Sequence, residues 1–146
     1  MRHYFLLAGL LVWAVGCGSS KIAPVSGRVT MGDKPLVNAT VIFQPISDEK
    51  NPGPGSQGKT DREGRFTLQT MTGNQKGAII GKHRIMITAY EGDTDEIPSS
   101  GSDNKVFAKR IVADEYNANS KLTFDVPAGG TTEANFDLPE PAPEKK

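Results

Sequence analysis

The sequence has few of the residues that metal, redox and nucleic-acid chemistry require. Its 146 residues include one cysteine, two histidines and one tryptophan, and 17 basic side chains balance 17 acidic ones. A single cysteine excludes an intramolecular disulfide framework, and two histidines are few for a zinc site. Zero net charge argues against a nucleic acid as partner, because phosphate binding needs an excess of Lys and Arg. We therefore expect no cofactor, no metal and no nucleic-acid partner.

The chain also lacks an apolar run long enough to cross a membrane. Residues 4–16 carry no charge and follow Arg2, but they fall short of the roughly 20 apolar residues that a spanning helix needs. A short apolar block behind a basic start is typical of a cleaved export signal. We therefore predict a signal peptide at residues 1–16.

The only cysteine follows this block directly. The segment Ala14-Val-Gly-Cys17 resembles the bacterial lipobox, in which small residues precede a cysteine that receives diacylglycerol through a thioether. We predict lipid attachment at Cys17, because the only cysteine of the chain falls at the one place that this chemistry requires. Several acyl chains on one residue would give stable anchoring, and the small, polar composition that follows predicts a flexible tether over residues 17–24. By resemblance to enterobacterial sorting rules, Gly18 favours the outer membrane, with the domain facing the periplasm or the cell surface. The alternative is an ordinary secretory signal that leaves Cys17 as a free thiol.

After the signal, apolar residues recur with a period of two rather than 3.6, which is typical of strands with one buried face. Turn residues separate these segments, as in 31–35 (MGDKP), 61–64 (DREG) and 128–130 (AGG). We predict an all-β fold, a single antiparallel two-sheet β-sandwich, over residues 25–138. The alternating segments are 25–30, 39–44, 65–69, 84–89, 121–126 and 133–138.

Three other segments have the composition of irregular chain. Residues 46–58 and 91–104 are longer than hairpin loops and rich in Gly, Pro, Ser and acidic residues, which favours disorder. Residues 139–146 alternate proline with charge and offer no apolar face, so we predict a disordered tail.

Several motifs resemble a known family. Residues 27–41 (GRVTMGDKPLVNATV), 60–66 (TDREGRF) and 81–85 (GKHRI) resemble the carboxypeptidase regulatory-like domain. The likeness is closer to small lipoproteins abundant in planctomycete bacteria, whose ending is matched here by 113–117 (ADEYN), 122–126 (LTFDV) and 136–138 (FDL). The resemblance implies a prealbumin-like, or transthyretin-like, β-sandwich. Its motif residues have structural explanations: Gly64 suits a turn with positive φ, Asp61 suits an Asx turn, and Tyr116 combines a large ring with one hydroxyl.

Candidate catalytic and binding residues are sparse. His83 is the one histidine beyond the predicted signal, and its parity with Ile85 indicates a partly buried residue at the start of a strand. No nucleophile elbow, phosphate loop or dinucleotide fingerprint accompanies it. The related fold hosts a hydrolase of 5-hydroxyisourate, but the tail here lacks the Tyr-Arg-Gly-Ser ending of that enzyme. Tyr90 is the one candidate ring for stacking on a sugar, and the acidic loop residues that could meet calcium are Asp93, Asp95, Glu96 and Asp103.

These observations predict a lipid-anchored, non-catalytic β-sandwich of the bacterial envelope with a structural or interaction role. An accessory domain that binds a glycan or a peptide is the alternative, through the long loops or an open sheet edge. A hydrolase of the transthyretin-like type is the third possibility. No sequence feature identifies the binding partner.

Overall fold

The computed structural model describes residues 21–46, 53–91 and 109–140. In these ranges the chain is all-β, as predicted, and one turn of 3-10 helix at Asp114–Tyr116 is its only helical element. The strands are Ile22–Ala23 (β1), Ser26–Met31 (β2), Lys34–Pro35 (β3), Thr40–Pro45 (β4), Ser56–Lys59 (β5), Arg65–Thr67 (β6), Gln69–Thr70 (β7), Ala78–Ile79 (β8), Gly81–Thr88 (β9), Thr123–Val126 (β10) and Phe136–Leu138 (β11).

The larger sheet has five strands in the order β10-β9-β4-β5-β7, and every neighbouring pair is antiparallel. The long strand β9 lies between β4 and β10. Its register places Ile85 opposite Phe43 on one side, and His83 opposite Phe124 on the other. The inward-facing side chains of three strands therefore meet near the middle of this sheet.

A second sheet is organised around β2. Strand β2 pairs with β3 and β6 in antiparallel fashion, but β11 lies parallel to it, with Phe136 opposite Val29. The prediction of a purely antiparallel fold is therefore wrong for this strand, and an isolated bridge between Val25 and Thr131 is parallel as well. The reason is that residues 128–130 do not form a hairpin. Strand β10 ends in the five-stranded sheet, and the chain then crosses to the other sheet before β11 begins.

The period-two pattern gave the correct buried face. In each of the six alternating segments, the residues predicted to face the core are buried or half-buried, and the residues between them are exposed or half-exposed. The fully buried core includes Val29, Val41, Phe43, Leu68 and Ile85. Alternation predicts the face correctly because one face of each strand is wet while the other packs against protein.

The two larger sheets contact each other through aromatic rings. Phe43 of β4 lies 6.4 Å from Phe66 of β6 and 6.1 Å from Phe136 of β11, measured between ring centroids. Phe124 of β10 lies 6.1 Å from Phe136. These edge-to-face and tilted pairs have the separations that aromatic side chains prefer. The arrangement is consistent with the predicted β-sandwich.

Several short strands were not predicted. Ile22–Ala23 pairs with Ala78–Ile79, and Ala23 is buried, so the folded body begins before residue 25 and the predicted tether is too long. Ser56–Lys59 is an inner strand of the five-stranded sheet, although residues 56–58 were predicted to belong to an irregular loop. Its sequence SQGK carries no apolar residue, so it has no alternation to detect.

The remaining predictions fall outside the described residues. These are the signal peptide at 1–16, Cys17 and the first part of the tether, residues 47–52 and 92–104 of the two loops, and residues 141–146 of the tail. In the described ranges, no helix has the length and apolar character needed to span a membrane.

Candidate functional site

His83 lies on β9, an inner strand of the larger sheet. It is 1% exposed, on a strand with neighbours on both edges, so the sequence-based placement as a partly buried residue is corrected to full burial. Its Nδ1 lies 2.8 Å from the carbonyl oxygen of Gly81, and its ring packs against Phe43 with centroids 5.7 Å apart. Its Nε2 has no hydrogen-bond partner among the described residues.

This environment favours an uncharged imidazole. Burial lowers the pKa of His83, and this effect outweighs the Gly81 carbonyl and the nearby carboxylate of Asp125, which act in the opposite direction. Ser56, on β5, is the other buried residue with an unsatisfied side-chain atom, its Oγ, in the described part of the chain. A general base must reach the proton that it takes. At 1% exposure, His83 does not meet a substrate from solvent in this conformation.

The other predicted candidates are dispersed. Cys17 and the acidic loop residues Asp93, Asp95, Glu96 and Asp103 lie outside the described residues. Tyr90 is 54% exposed and forms an isolated bridge with Arg110, so its ring stands at the surface without a second ring beside it in the described ranges. Over the same ranges, no group of three or more His, Cys, Asp or Glu side chains is placed to hold a metal ion.

The motif residues of the resemblance have structural contacts. Asp61 Oδ1 accepts hydrogen bonds from the backbone N–H groups of Glu63 and Arg65, at 3.0 and 2.8 Å, and Gly64 has φ +74° in the same turn. Asn117 Nδ2 donates to the carbonyl oxygen of Ile87 at 3.4 Å and to the hydroxyl of Thr88, which ties the 3-10 turn to β9. Tyr116 packs against the core.

A polar groove of about 780 Å³ lies on the outer side of the second sheet. We call it the basic groove, because it is lined by the cations Arg28, Lys59 and Arg65, with Asp61 as its one acidic side chain among the described residues. The other polar residues that line it are Ser26, Thr67, Thr132 and Asn135.

Two arginines lie side by side on one wall of this groove. Arg28 of β2 is the register partner of Arg65 of β6. Backbone hydrogen bonds join Val29 N to Gly64 O at 2.8 Å and Leu68 N to Val25 O at 2.9 Å. Because hydrogen-bonded and non-hydrogen-bonded pairs alternate along an antiparallel ladder, the two arginines occupy a non-hydrogen-bonded position. Side chains approach each other most closely at such positions, and like charges there are destabilising.

The contacts of the two guanidinium groups differ. Arg28 Nε donates a hydrogen bond to the backbone carbonyl oxygen of Glu63 at 2.9 Å, which restrains its side chain. Arg65 makes no side-chain hydrogen bond or ion pair with any residue that the structure describes. Both arginines are exposed. The groove therefore offers one oriented and one free guanidinium on the same wall.

Asn135 lies beside Arg28 in the basic groove. Its Oδ1 accepts a hydrogen bond from the backbone N–H of Arg28 at 2.9 Å. The adjacent chain follows β2 closely, because Ser26 N donates to Thr131 O and Ala134 N donates to Ser26 O, at 2.9 and 3.2 Å. The hydroxyl and amide side chains of this segment are therefore held at the surface beside the arginines.

The basic groove was not predicted from the sequence. Arg28 and Arg65 both alternate with the apolar residues of predicted strands, so the sequence pattern already indicates that they are exposed. Their juxtaposition requires the pairing register of β2 with β6, which brings together residues 37 positions apart in sequence. Alternation alone does not give register between strands.

A second groove, of about 490 Å³, lies beside the 3-10 turn. Its floor is apolar, with Met31, Ile111 and Leu138, and the carboxylates of Glu115 and Glu140 stand on its rim. Glu140 is already engaged, because it lies 3.6 Å from Lys34 Nζ. This groove is apolar with an acidic rim, whereas the basic groove is polar and lined mainly by cations.

Comparison with known proteins gives little further information. No protein-family model matches the chain, and no curated protein matches it. Among solved structures, the chain is similar to a 9R-lipoxygenase from Cyanothece, with 18% sequence identity and a TM-score of 0.36. The match covers 82% of this chain and only 16% of the lipoxygenase. A similarity of this size carries no argument about function.

Proposed function

We propose that the chain is a non-catalytic interaction module of the bacterial cell envelope, anchored to a membrane by acyl chains on Cys17. The anchor follows from the sequence: a short apolar block, small residues at 14–16, and the only cysteine of the chain directly after them. An outer-membrane location, with the domain facing the periplasm or the cell surface, belongs to the same proposal.

The fold proposed for the module is a two-sheet β-sandwich of the prealbumin-like kind. The ring contacts among Phe43, Phe66 and Phe136 support it, because they join the inner faces of the two larger sheets. The Asp61 turn and the Asn117 contact to β9 support the resemblance to carboxypeptidase regulatory-like lipoproteins, since both motif residues make fold-defining hydrogen bonds.

The observation that carries the interaction role is the distribution of polar groups. The one histidine beyond the predicted signal is buried on an inner strand of the larger sheet, where burial lowers its pKa. The exposed faces instead carry open grooves with oriented polar side chains. Such surfaces suit binding rather than bond cleavage.

The membrane anchor is tested with Cys17→Ser, and with Ser19→Ala as a matched control. The full chain is expressed in a Gram-negative host with a clickable palmitate analogue, and membranes are separated from the soluble fraction. We expect the wild type and Ser19→Ala to carry label and sediment with membranes, and Cys17→Ser to do neither. Mass spectrometry of the mature N-terminus must show an acylated Cys17. A protein that begins at Met1, or membrane association that survives Cys17→Ser, contradicts the proposal.

A glycan- or peptide-binding accessory domain is the second candidate, and the basic groove favours its glycan form. The hydrolase alternative has a direct test in the turnover of 5-hydroxyisourate by the wild type and by His83→Ala. We expect no turnover by either protein. Turnover that His83→Ala abolishes would overturn the non-catalytic assignment.

A further inference from the structure

We propose that the basic groove binds the sulfate or carboxylate groups of an acidic polysaccharide, with Arg28 and Arg65 as its main contacts. The proposal specifies the ligand class of the glycan-binding candidate stated above and rests on that candidate. It does not depend on lipid attachment at Cys17, so the two can fail separately.

The two neighbouring arginines favour a bound anion. Their like charges face each other at the closest kind of antiparallel pair, which costs stability unless an anion lies between them. Asp61 does not fill this role fully, because its Oδ1 is engaged by two backbone N–H groups of its own turn. Arg65 keeps all its guanidinium donors free of the residues that the structure describes. A bound anion would receive hydrogen bonds from these donors.

Arginine also suits the proposed groups by its shape. The planar guanidinium presents paired N–H donors that match two oxygens of one carboxylate, or of one sulfate. Arg28 is already oriented, because its Nε donates to the Glu63 carbonyl, and its terminal nitrogens make no hydrogen bond with any residue that the structure describes. Less side-chain entropy is lost when a preoriented guanidinium binds.

The neighbouring side chains favour a sugar polymer over a nucleic acid. Ser26, Thr67, Thr132 and Asn135 supply hydroxyl and amide groups that can exchange hydrogen bonds with sugar hydroxyls. The one aromatic residue that lines the groove in the described ranges, Phe66, is 3% exposed and packs inward. Binding of single-stranded nucleic acid relies on exposed rings that stack on bases, and this wall offers none among the described residues.

The openness of the site suits a polymer rather than a small free anion. The groove is a surface channel along β2 and β6 and not an enclosed cavity, so one small anion would stay hydrated there. Several anionic groups on one chain would engage Arg28 and Arg65 together, which raises affinity by effective concentration.

The test measures binding of oligosaccharides to the full-length chain in mild detergent, by isothermal titration calorimetry. The probes are an oligogalacturonate for carboxylates, a dextran sulfate fragment for sulfates, and neutral dextran. A single-stranded oligonucleotide of matched charge is the fourth probe. The variants are Arg28→Gln, Arg65→Gln and Arg65→Lys. The control is Arg84→Gln, which removes the same charge from the outer face of the other sheet, where Arg84 contacts Gln44.

We expect one or both acidic sugars to bind, and Arg28→Gln and Arg65→Gln each to weaken binding at least tenfold. Arg84→Gln should leave the affinity within twofold of the wild type. The affinity of Arg65→Lys should lie between those of Arg65→Gln and the wild type, because lysine keeps the positive charge but lacks the paired N–H donors of the guanidinium. The melting temperature without ligand should be unchanged or higher in Arg65→Gln, since the variant relieves repulsion. A purely structural role of Arg65 would lower it.

Four results would overturn the proposal. They are the absence of binding to both acidic sugars at millimolar concentration, equal binding of neutral dextran, equal losses in Arg65→Gln and Arg84→Gln, and equal or tighter binding of the oligonucleotide. The last two would indicate non-specific charge attraction and a nucleic-acid site, respectively.

Discussion

The imidazole of His83 packs against the ring of Phe43, with centroids 5.7 Å apart, in the contact region between the two larger sheets. Phe43 in turn touches Phe66, Phe124 and Phe136. A titratable side chain is thus part of an otherwise aromatic cluster. The charge state of His83 is therefore coupled to the free energy of folding.

The folded state should become less stable as the pH falls from about 7 to about 5. In the unfolded chain the imidazole titrates near the ordinary histidine pKa of 6.5, whereas burial lowers the pKa of His83 in the folded state. The unfolded chain therefore binds a proton first, so the stabilisation present above the unfolded pKa is lost below it. We expect the melting temperature to fall over this window, as measured by differential scanning fluorimetry at constant ionic strength.

His83→Leu provides the control for this pH dependence. Leucine keeps an apolar side chain in the cluster and cannot titrate, so the melting temperature should stay nearly flat between pH 7 and pH 5. Carboxylates titrate mainly below this window. Parallel pH profiles for the wild type and His83→Leu would show that His83 is not the group responsible.

Gly27 lies at a close backbone approach between β2 and the segment before β11. A Cβ at Gly27 would lie 1.9 Å from the carbonyl oxygen of Ala134, and backbone atoms cannot move aside cheaply. We expect Gly27→Ala to lower the free energy of unfolding by about 1–3 kcal/mol or more, as overpacking does. Urea titration of Gly27→Ala beside Gly129→Ala measures this, because a Cβ at Gly129 meets nothing within 4 Å in the described part of the chain. Equal stability of the two variants would contradict the close approach.

Asn117 holds the 3-10 turn to β9. Its amide reaches the Ile87 carbonyl and the Thr88 hydroxyl, so Asn117→Ala removes donors from both acceptors. A hydrogen bond of this kind contributes about 0.5–1.5 kcal/mol, and we expect a loss of about that size in thermal or urea unfolding. Asn119→Ala, two residues along, is the control, since within the described ranges Asn119 contributes only a backbone hydrogen bond. A larger loss for Asn119→Ala would mean that the motif asparagine has no anchoring role.

The alternating pattern predicted the buried face of each strand but not the pairing of those strands. Val29, Val41 and Ile85 are buried as their parity requires, because alternation depends only on which side of a strand is wet. The parallel alignment of Phe136 with Val29 depends on the path of the chain between sheets, which leaves no periodic signal. The same limit applies to strands without apolar residues, such as Ser56–Lys59.

The candidate site was less predictable than the fold for the same reason. Arg28 and Arg65 each look like ordinary solvent-facing residues in sequence. Their candidate role in binding depends on the strand register that places them opposite each other. His83 was singled out as the candidate base, but its depth depends on the two strands that flank β9.

Thr60 is a buried side chain whose hydroxyl satisfies two backbone groups at once. Its Oγ1 donates to the Leu36 carbonyl at 2.6 Å and accepts from the Ala39 N–H at 2.8 Å. Thr60→Val keeps the shape but leaves both backbone groups without that partner, in a place where Thr60 is 2% exposed. We expect a loss of about 1–3 kcal/mol in the free energy of unfolding, because unsatisfied buried groups cost their desolvation energy. Thr67→Val, on the exposed face of β6, should change stability by less than about 0.5 kcal/mol. Urea unfolding of both variants decides the matter: similar midpoints would show that the Thr60 hydroxyl does not hold the chain before β4 in place.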